Sequence, residues 1–535
     1  MNMNAKIARL ASSLCAIAAL TIPVRISGQS EKGKHHHYKL IDVGTFPGSS
    51  IYNMRVTSNG STPTEFQQVL NNQGTLVGGA DTALVNPFNC FNPFNQSIEC
   101  YVQHAFVRQQ GKLTDLGTLP GGSASFAYFV SDNGLIAGGS ENGNFDPNVG
   151  MLEYHAVLWS NGTVTDLGTL GGTSSLGAGV NDAGQVAGFA QNATPDPFSI
   201  AGLGTQTRAF LWQNGKMRDL HTLGGPDSFA QFVNNNGQVA GVSYTSDTPD
   251  PNTGLPPLDP FIWENGKGMK DLGNFGGTND FLGPFLFGLN NGGEVTGTMA
   301  LTGDQIYHAF LWDGKKLIDL NTSSGGLGGN FSFAQGFNDA GQVVGIASLA
   351  GDQLFHAFVW QNGVMTDLGT LHGDPCSEAQ SINSSGQVVG ASQSAAGGCN
   401  FYTRAFLWEN GGPSVDLNNL VPPGSGLFLL NGAWINDKGE ITGRGAPTGC
   451  GDADICGHAF LLIPCDANHP NLEGCDYSLV DAAAAAGADS AEDSNTSPLT
   501  SSQTKLLPAE ITARFRSSMT ARNRRYGALQ ASPRQ

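Results

Sequence analysis

Apolar and polar residues alternate in short runs along residues 38–463, and helical periodicity is absent there. His356, Phe358 and Trp360 fall on one side of an extended segment, with Ala357 and Val359 on the other. This two-residue period predicts a β-strand. Three similar segments accompany it: Ser377 to Asn383 (pattern S-x-A-x-x-I-N), residues 387–392 (QVVGAS) and Val364 to Leu371. Asn362-Gly363 separates the HAF segment from the one after it, and Asn-Gly is a strong hairpin signal because both positions of the turn need φ > 0. The dipeptide recurs at Asn161-Gly162, Asn214-Gly215, Asn265-Gly266 and Asn410-Gly411, while N-x-x-G, as at Asn181 to Gly184, joins the other two segments. The unit is therefore a four-stranded meander.

HAF-like segments start at His104, His155, Arg208, Asp259, His308, His356, Arg404 and His458, about 50 residues apart. Four-stranded units at this period predict an all-β fold, a β-propeller of eight four-stranded blades. The ends support closure. The array opens with a fourth-strand pattern, Tyr38 to Thr45, and finishes with a third-strand pattern, His458 to Ile463. The first is expected to complete the last blade and protect its edge. An open solenoid is the alternative, and it leaves that strand without a partner.

In such a meander the 1–2 and 3–4 turns share one face, and the 2–3 loops and 4–1 crossings share the other. The long insertions, residues 79–103, 139–154, 189–207, 242–258, 346–355 and 391–403, all fall in the second set. Insertions confined to one face mark it as the expected binding face. The first face has minimal turns and promises little relief.

The signature HAFLW…NG…DLGTLGG…IN..GQVVG resembles the HAF-repeat family of bacterial extracellular proteins over roughly residues 38–463. The resemblance implies an exported, propeller-like repeat protein without an assigned activity.

Composition agrees with export. Residues 1–28 read as a signal peptide, with Lys6 and Arg9 ahead of an apolar run too short to span a bilayer. Residues 29–37 read as a solvated linker, whose His35-His36-His37 holds metal only adventitiously. The propeller occupies 38–464, a Cys-closed loop 465–480, and a low-complexity tail 481–535, with a short basic helix possible near its end. Eight cysteines follow the leader in local pairs, predicting disulfides Cys90–Cys100, Cys376–Cys399, Cys450–Cys456 and Cys465–Cys475. The expected location is extracellular or periplasmic. A net charge of −18 argues against nucleic acid and anionic lipid as partners. No membrane span is expected, and a monomer is.

The recurring His and Asp invite a catalytic reading. His104, His155, His308 and His356 are each followed eleven residues later by Asp115, Asp166, Asp319 and Asp367. An Asn-Gly hairpin places Phe358 opposite Asp367 and His356 diagonal to it on the same side. Arg208 and Arg404 replace His in two units, ahead of Asp219 and Asp416. A position that takes either His or Arg supplies a donor, not a general base. A structural hydrogen bond per blade is the expectation. In the fourth unit Asp259 stands near Asp271, so that blade must satisfy the pair otherwise.

No G-x-S-x-G, H-E-x-x-H, phosphate loop or Asp-box occurs. No cofactor is expected. Calcium is the one candidate ion, at Asp304, Asp352, Asp452 or Asp454, none of which has EF-hand spacing. The segment 86–95 (NPFNCFNPFN) sets Phe88, Phe91 and Phe94 among Asn and Pro; with Tyr244, Phe401 and Tyr402 they are candidate ligand-contacting aromatics. These readings favour a non-catalytic exported propeller that binds a protein or glycan through its insertion face. The alternative is an extracellular polysaccharide hydrolase or lyase with acids at the central channel.

Overall fold

A computed structural model describes residues 34–44, 46, 54–55, 68–85, 101–146, 151–201, 204–251, 254–278, 285–322, 325–393, 399, 402–409, 411–450, 457–477 and 480–482. The chain forms eight four-stranded antiparallel sheets in a ring, a β-propeller. Blade 2 is representative: Ser125–Val130, Ile136–Asp146, Met151–Ser160 and Thr163–Asp166 pair in chain order. Blade 8 combines Leu427–Ile435, Ile441–Pro447 and His458–Pro464 with Tyr38–Asp42 from the start of the array. In that closing strand Tyr38 opposes Pro464 and Asp42 opposes Phe460. The expected strand ran to Thr45; pairing stops at Asp42, whose side chain instead accepts a hydrogen bond from the Gly44 N–H.

The HAF motif builds the core between neighbouring blades. Its Phe (106, 210, 261, 310, 358, 406 and 460) is at most 1% exposed. Each lies across from a glycine of the second strand, as Phe406 does from Gly390. A Cβ on Gly390 would approach the Glu378 carbonyl oxygen to 1.9 Å, so only glycine fits. That carbonyl is close because the first strand bulges there. The register shifts at the same place in blades 2 to 8, for instance between Ala379 and Ser381. A bulge leaves one residue unpaired and bends the strand. The pattern S-x-A-x-x-I-N encodes it: Ser and Ala are two apart, Ala and Ile three.

The motif serine staples blades together. Ser377 Oγ accepts from Ala357 N–H of the previous blade at 2.9 Å and donates to Gly369 O. Ser125, Ser175, Ser228 and Ser332 accept in the same way from the Ala of the preceding HAF segment.

Asn161, Asn214 and Asn362 take positive φ ahead of a positive-φ glycine, as the hairpin signal requires, and Gln110 does the same before Gly111. Asn265-Gly266 departs: Glu264 pairs with Gly268, so three residues form the loop, and the positive φ values sit on Gly266 and Gly268. Asn410 lies outside the described residues.

The reading of His35–His37 as a solvated linker is corrected. Lys34–His36 forms a two-stranded ribbon with Val480–Ala482. His35 is 3% exposed, with Nδ1 2.7 Å from Glu409 Oε1. A neighbouring carboxylate in an apolar setting holds the imidazole there.

Disulfides Cys376–Cys399 and Cys465–Cys475 are present. Cys450 is disulfide-bonded too; Cys456, Cys90 and Cys100 lie outside the described residues. Among the described residues no helix is long and apolar enough to cross a membrane.

Candidate functional site

Two sets of polar side chains recur around the ring, and they lie on opposite faces. The His–Asp pairs sit on the insertion face, where third strands begin and fourth strands end. Nδ1 of His104, His155, His308 and His356 lies 2.8–2.9 Å from Asp115, Asp166, Asp319 and Asp367. His458 makes the same contact with Asp42 at 2.8 Å. Every aspartate of this series also accepts the backbone N–H two residues on, as Asp367 does from Gly369 at 2.7 Å, which turns the chain out of the fourth strand. The Nε2 of His104 and of His308 faces a carbonyl oxygen, Ser123 O and Asn330 O. Burial pushes the Asp42, Asp115, Asp166 and Asp367 carboxyls up, but the imidazole hydrogen bond, the glycine N–H and the imidazole charge together hold them below the ordinary value. The hydrogen bond to Asp115 raises the His104 imidazole against the opposing effect of burial.

The substituted blades differ. Arg404 Nε lies 3.4 Å from Asp416, which His372 Nε2 also approaches at 3.3 Å. Arg208 instead turns to Gln206 Oε1 at 2.8 Å, and its Nε has no partner, so the expected Arg208–Asp219 pair does not form. Asp259 accepts from Asn274 Nδ2 at 2.8 Å. Burial, with the charge of Asp271 adding to it against that hydrogen bond, pushes its carboxyl up to about 6.

Neither described calcium candidate, Asp304 or Asp352, joins a group that could hold a metal ion. Asp304 accepts from Thr278 N and Oγ1, and Asp352 from Asn330 and Ser348 Oγ. Each ties a 2–3 loop to the start of its own blade, Asp304 to the crossing that enters it and Asp352 to its first strand, Gly328–Phe337. Among the described residues no three His, Cys, Asp or Glu side chains converge as a metal site. Asp452 and Asp454 lie outside the described residues. Tyr244, expected on the ligand face, is 3% exposed and donates to Phe198 O; it is a core residue, because the 189–207 insertion folds over it. Phe88, Phe91, Phe94 and Phe401 lie outside the described residues, and Tyr402 is described only as part of the seventh blade's third strand, Tyr402–Trp408.

The second set forms a belt around the axis on the other face. In the turn N-x-x-G-Q, Asn383 Oδ1 accepts from Ser385 N and Gln387 N, while Nδ2 donates to Gln387 Oε1 and to Asn436 O of the next blade. All four hydrogen-bonding positions of the amide are filled. Asn181, Asn234 and Asn338 make the same inter-blade donation, and Asn436 closes the ring by donating to Asn71 O at 2.9 Å. Blade 2 has Ser131 at this position, and there Asn133 Nδ2 bridges to Asp182 O instead. The absent amide also removes the need for an acceptor four residues on, and Leu135 stands where blades 3, 4, 6 and 7 have Gln and blades 5 and 8 have Glu.

Inside this belt opens a cavity of about 290 Å³. Its mouth carries Asp132, Asp182, Asp339 and Asp437, and its wall Phe129, Phe232, Phe287, Phe337, Trp434 and Gln335. The face expected to offer little relief thus holds a formed cavity. The repeat pattern signals it only indirectly: the residue after each turn Asn or Ser is always Asn, Asp or Ser, and the bulge turns residues near it out of the sheet.

No protein-family model and no curated protein matches this sequence. Among solved structures the chain is similar to acylaminoacyl peptidase from Pyrococcus horikoshii, with 9% identity over 70% of this chain and 54% of that one and a TM-score of 0.36. It is similar to a gluconolactonase from Xanthomonas campestris, with 10% identity over 58% and 78% of the two chains and a TM-score of 0.23. A mutant of AofleA from Arthrobotrys oligospora shares 14% identity over 64% and 90%, with a TM-score of 0.27. The chain spans 54% of the peptidase's length. Scores this low carry no inference about this chain.

Proposed function

We propose that this propeller is an exported, non-catalytic module that binds another protein through its insertion face. One observation carries the reading. Of the six large apolar side chains exposed among the described residues, four lie on that face: Leu84 (59%), Phe145 (53%), Leu354 (40%) and Phe428 (44%). Leu84 and Phe145 stand near the outer ends of the second strands of adjacent blades, Leu76–Val85 and Ile136–Asp146. Exposed apolar groups on elements rigidified by strand pairing suit a protein partner, since little ordering entropy opposes contact. The disulfides agree with an oxidising compartment, and the resemblance to HAF-repeat proteins points the same way. The acids of the His–Asp series favour binding over catalysis on that face, because each accepts hydrogen bonds from its own blade.

The test compares proteins retained from a culture supernatant by the wild type, by Leu84→Glu with Phe145→Glu, and by Val364→Glu, whose side chain lies on the opposite face. Partners held by the wild type and by Val364→Glu should be lost from the double variant. Retention by the double variant would overturn the assignment of the face.

A further inference from the structure

We infer that the axial cavity opposite the insertion face is a binding site for an organic cation, a primary ammonium or guanidinium group on an apolar stem. The argument rests on which hydrogen-bonding capacity the belt leaves over. Five of its turn asparagines have no amide hydrogen to spare: Asn181, Asn234, Asn338, Asn383 and Asn436 each give both to protein acceptors. Its acceptors are not all engaged. The two oxygens of Asp339 receive one donor each, from Asn291 N and Nδ2, and those of Asp182 one each, from Asn133 N and Asn235 Nδ2. An ionised carboxylate offers about four acceptor positions, so about half remain. The described residues lining the cavity include no Lys, Arg or His.

Gln335 gives an independent indication. It lines the cavity, is 8% exposed, and its Oε1 has no hydrogen-bond partner. The orientation of the amide is set by its Nε2, which donates to Glu378 Oε1 at 2.7 Å. A buried carbonyl oxygen without a donor is costly unless a ligand supplies one. Gln335 occupies the bulge of its strand, between the paired residues Ala334 and Gly336, where the backbone re-aims a side chain away from the sheet. The wall adds Phe129, Phe232, Phe287, Phe337 and Trp434, whose faces attract a cation and whose area covers an apolar stem. The volume suits a group the size of a lysine or arginine side chain.

The ammonium has two possible sources, a free diamine or a lysine on a protein, and the test separates them. Calorimetry on the intact protein would use 1,4-diaminobutane, N-acetyl-lysine methylamide and, as neutral control, 1,4-butanediol. Saturable binding of either amine, weakened at least about tenfold by high salt and absent for the diol, supports the site; preference for the lysine amide assigns it to a protein-borne side chain. Asp182→Asn with Asp339→Asn should weaken binding about tenfold or more. Ser384→Lys, at an exposed position on the rim that contributes only its backbone N–H to the belt, keeps the belt intact and should abolish binding through its tethered ammonium. No binding of either amine, equal binding of the diol, or undiminished binding by folded Ser384→Lys would overturn the inference. Since the insertion face is untouched by these variants, loss here with protein capture retained separates this site from the proposed interface.

Discussion

Asp42 and His458 lie 416 residues apart in sequence and 2.8 Å apart in space. The same His–Asp contact that forms within a single hairpin in blades 1, 2, 5 and 6 forms here between the first and last strands of the ring. A local device has become the lock of the closure, because the fourth strand of blade 8 comes from the N-terminal side.

Removing residues 38–42 should therefore lower thermal stability far more than losing the pair alone. His458→Leu should cost about 1–3 kcal/mol, the range for a hydrogen bond to a charged group. The deletion also uncovers the His458–Pro464 edge and removes Tyr38, which is 3% exposed. Melting curves of the two variants check the order; a deletion no worse than His458→Leu would mean that the ring closes without this strand.

The His–Asp pairs set a pH window. Carboxyls held below the ordinary 3.8 contribute stability that is present above that value and lost as pH falls through their lowered values. His104, raised above 6.5, contributes stability that is present below 6.5 and lost as pH rises through its raised value. The His104–Asp115 pair should thus support the fold most between about pH 4 and 6.5. Replacing His104 by Gln should flatten the alkaline side of a melting-temperature profile.

Asp227 is wholly buried under the blade 3 insertion, and burial pushes its carboxyl up to about 8 against hydrogen bonds from Ile200 and Thr207 N–H. The charge of Asp196 and its hydrogen bond with the protonated Asp227 carboxyl add to this. Ionising Asp227 therefore costs stability as pH rises from 3.8 toward 8. Asp196→Asn removes the like charge and supplies an amide donor. It should stabilise the protein at pH 8 by on the order of 1 kcal/mol, roughly one pKa unit, and change little at pH 4. Equal denaturation midpoints at both pH values would contradict this.

Asn383 should not tolerate aspartate. The substitution removes both amide donors at a site 3% exposed and sets a charge against Asn436 O and Gln387 Oε1, a loss of about 2–4 kcal/mol. Grafting the blade 2 solution, Asn383→Ser with Ser385→Asn and Gln387→Leu, should recover much of it. Chemical denaturation of both variants measures the difference.

Gly390 illustrates what a repeated residue leaves unsaid. Its recurrence marks a place where no Cβ fits, yet the cause, a bulged carbonyl on the neighbouring strand, appears only once the strands are paired. The position of Tyr244 was unreadable for a similar reason: a loop aromatic is exposed or buried according to what folds over it.

Alternation, Asn-Gly turns and a period of about 50 residues determined the blade, the number of blades and the strand that closes them, because each depends on contacts within one unit or between its copies. Local spacing likewise carried the His–Asp contacts and the two described cysteine pairs. Tertiary structure alone decided the rest. The turn of Arg208 away from Asp219, the burial of His35 against Glu409 and the belt of asparagines around a cavity all depend on groups far apart in the chain. The belt shows the reason most clearly. Each N-x-x-G reads as an ordinary turn, and only the ring places seven of them, with one S-x-x-G, around one axis, where leftover hydrogen-bonding capacity converges.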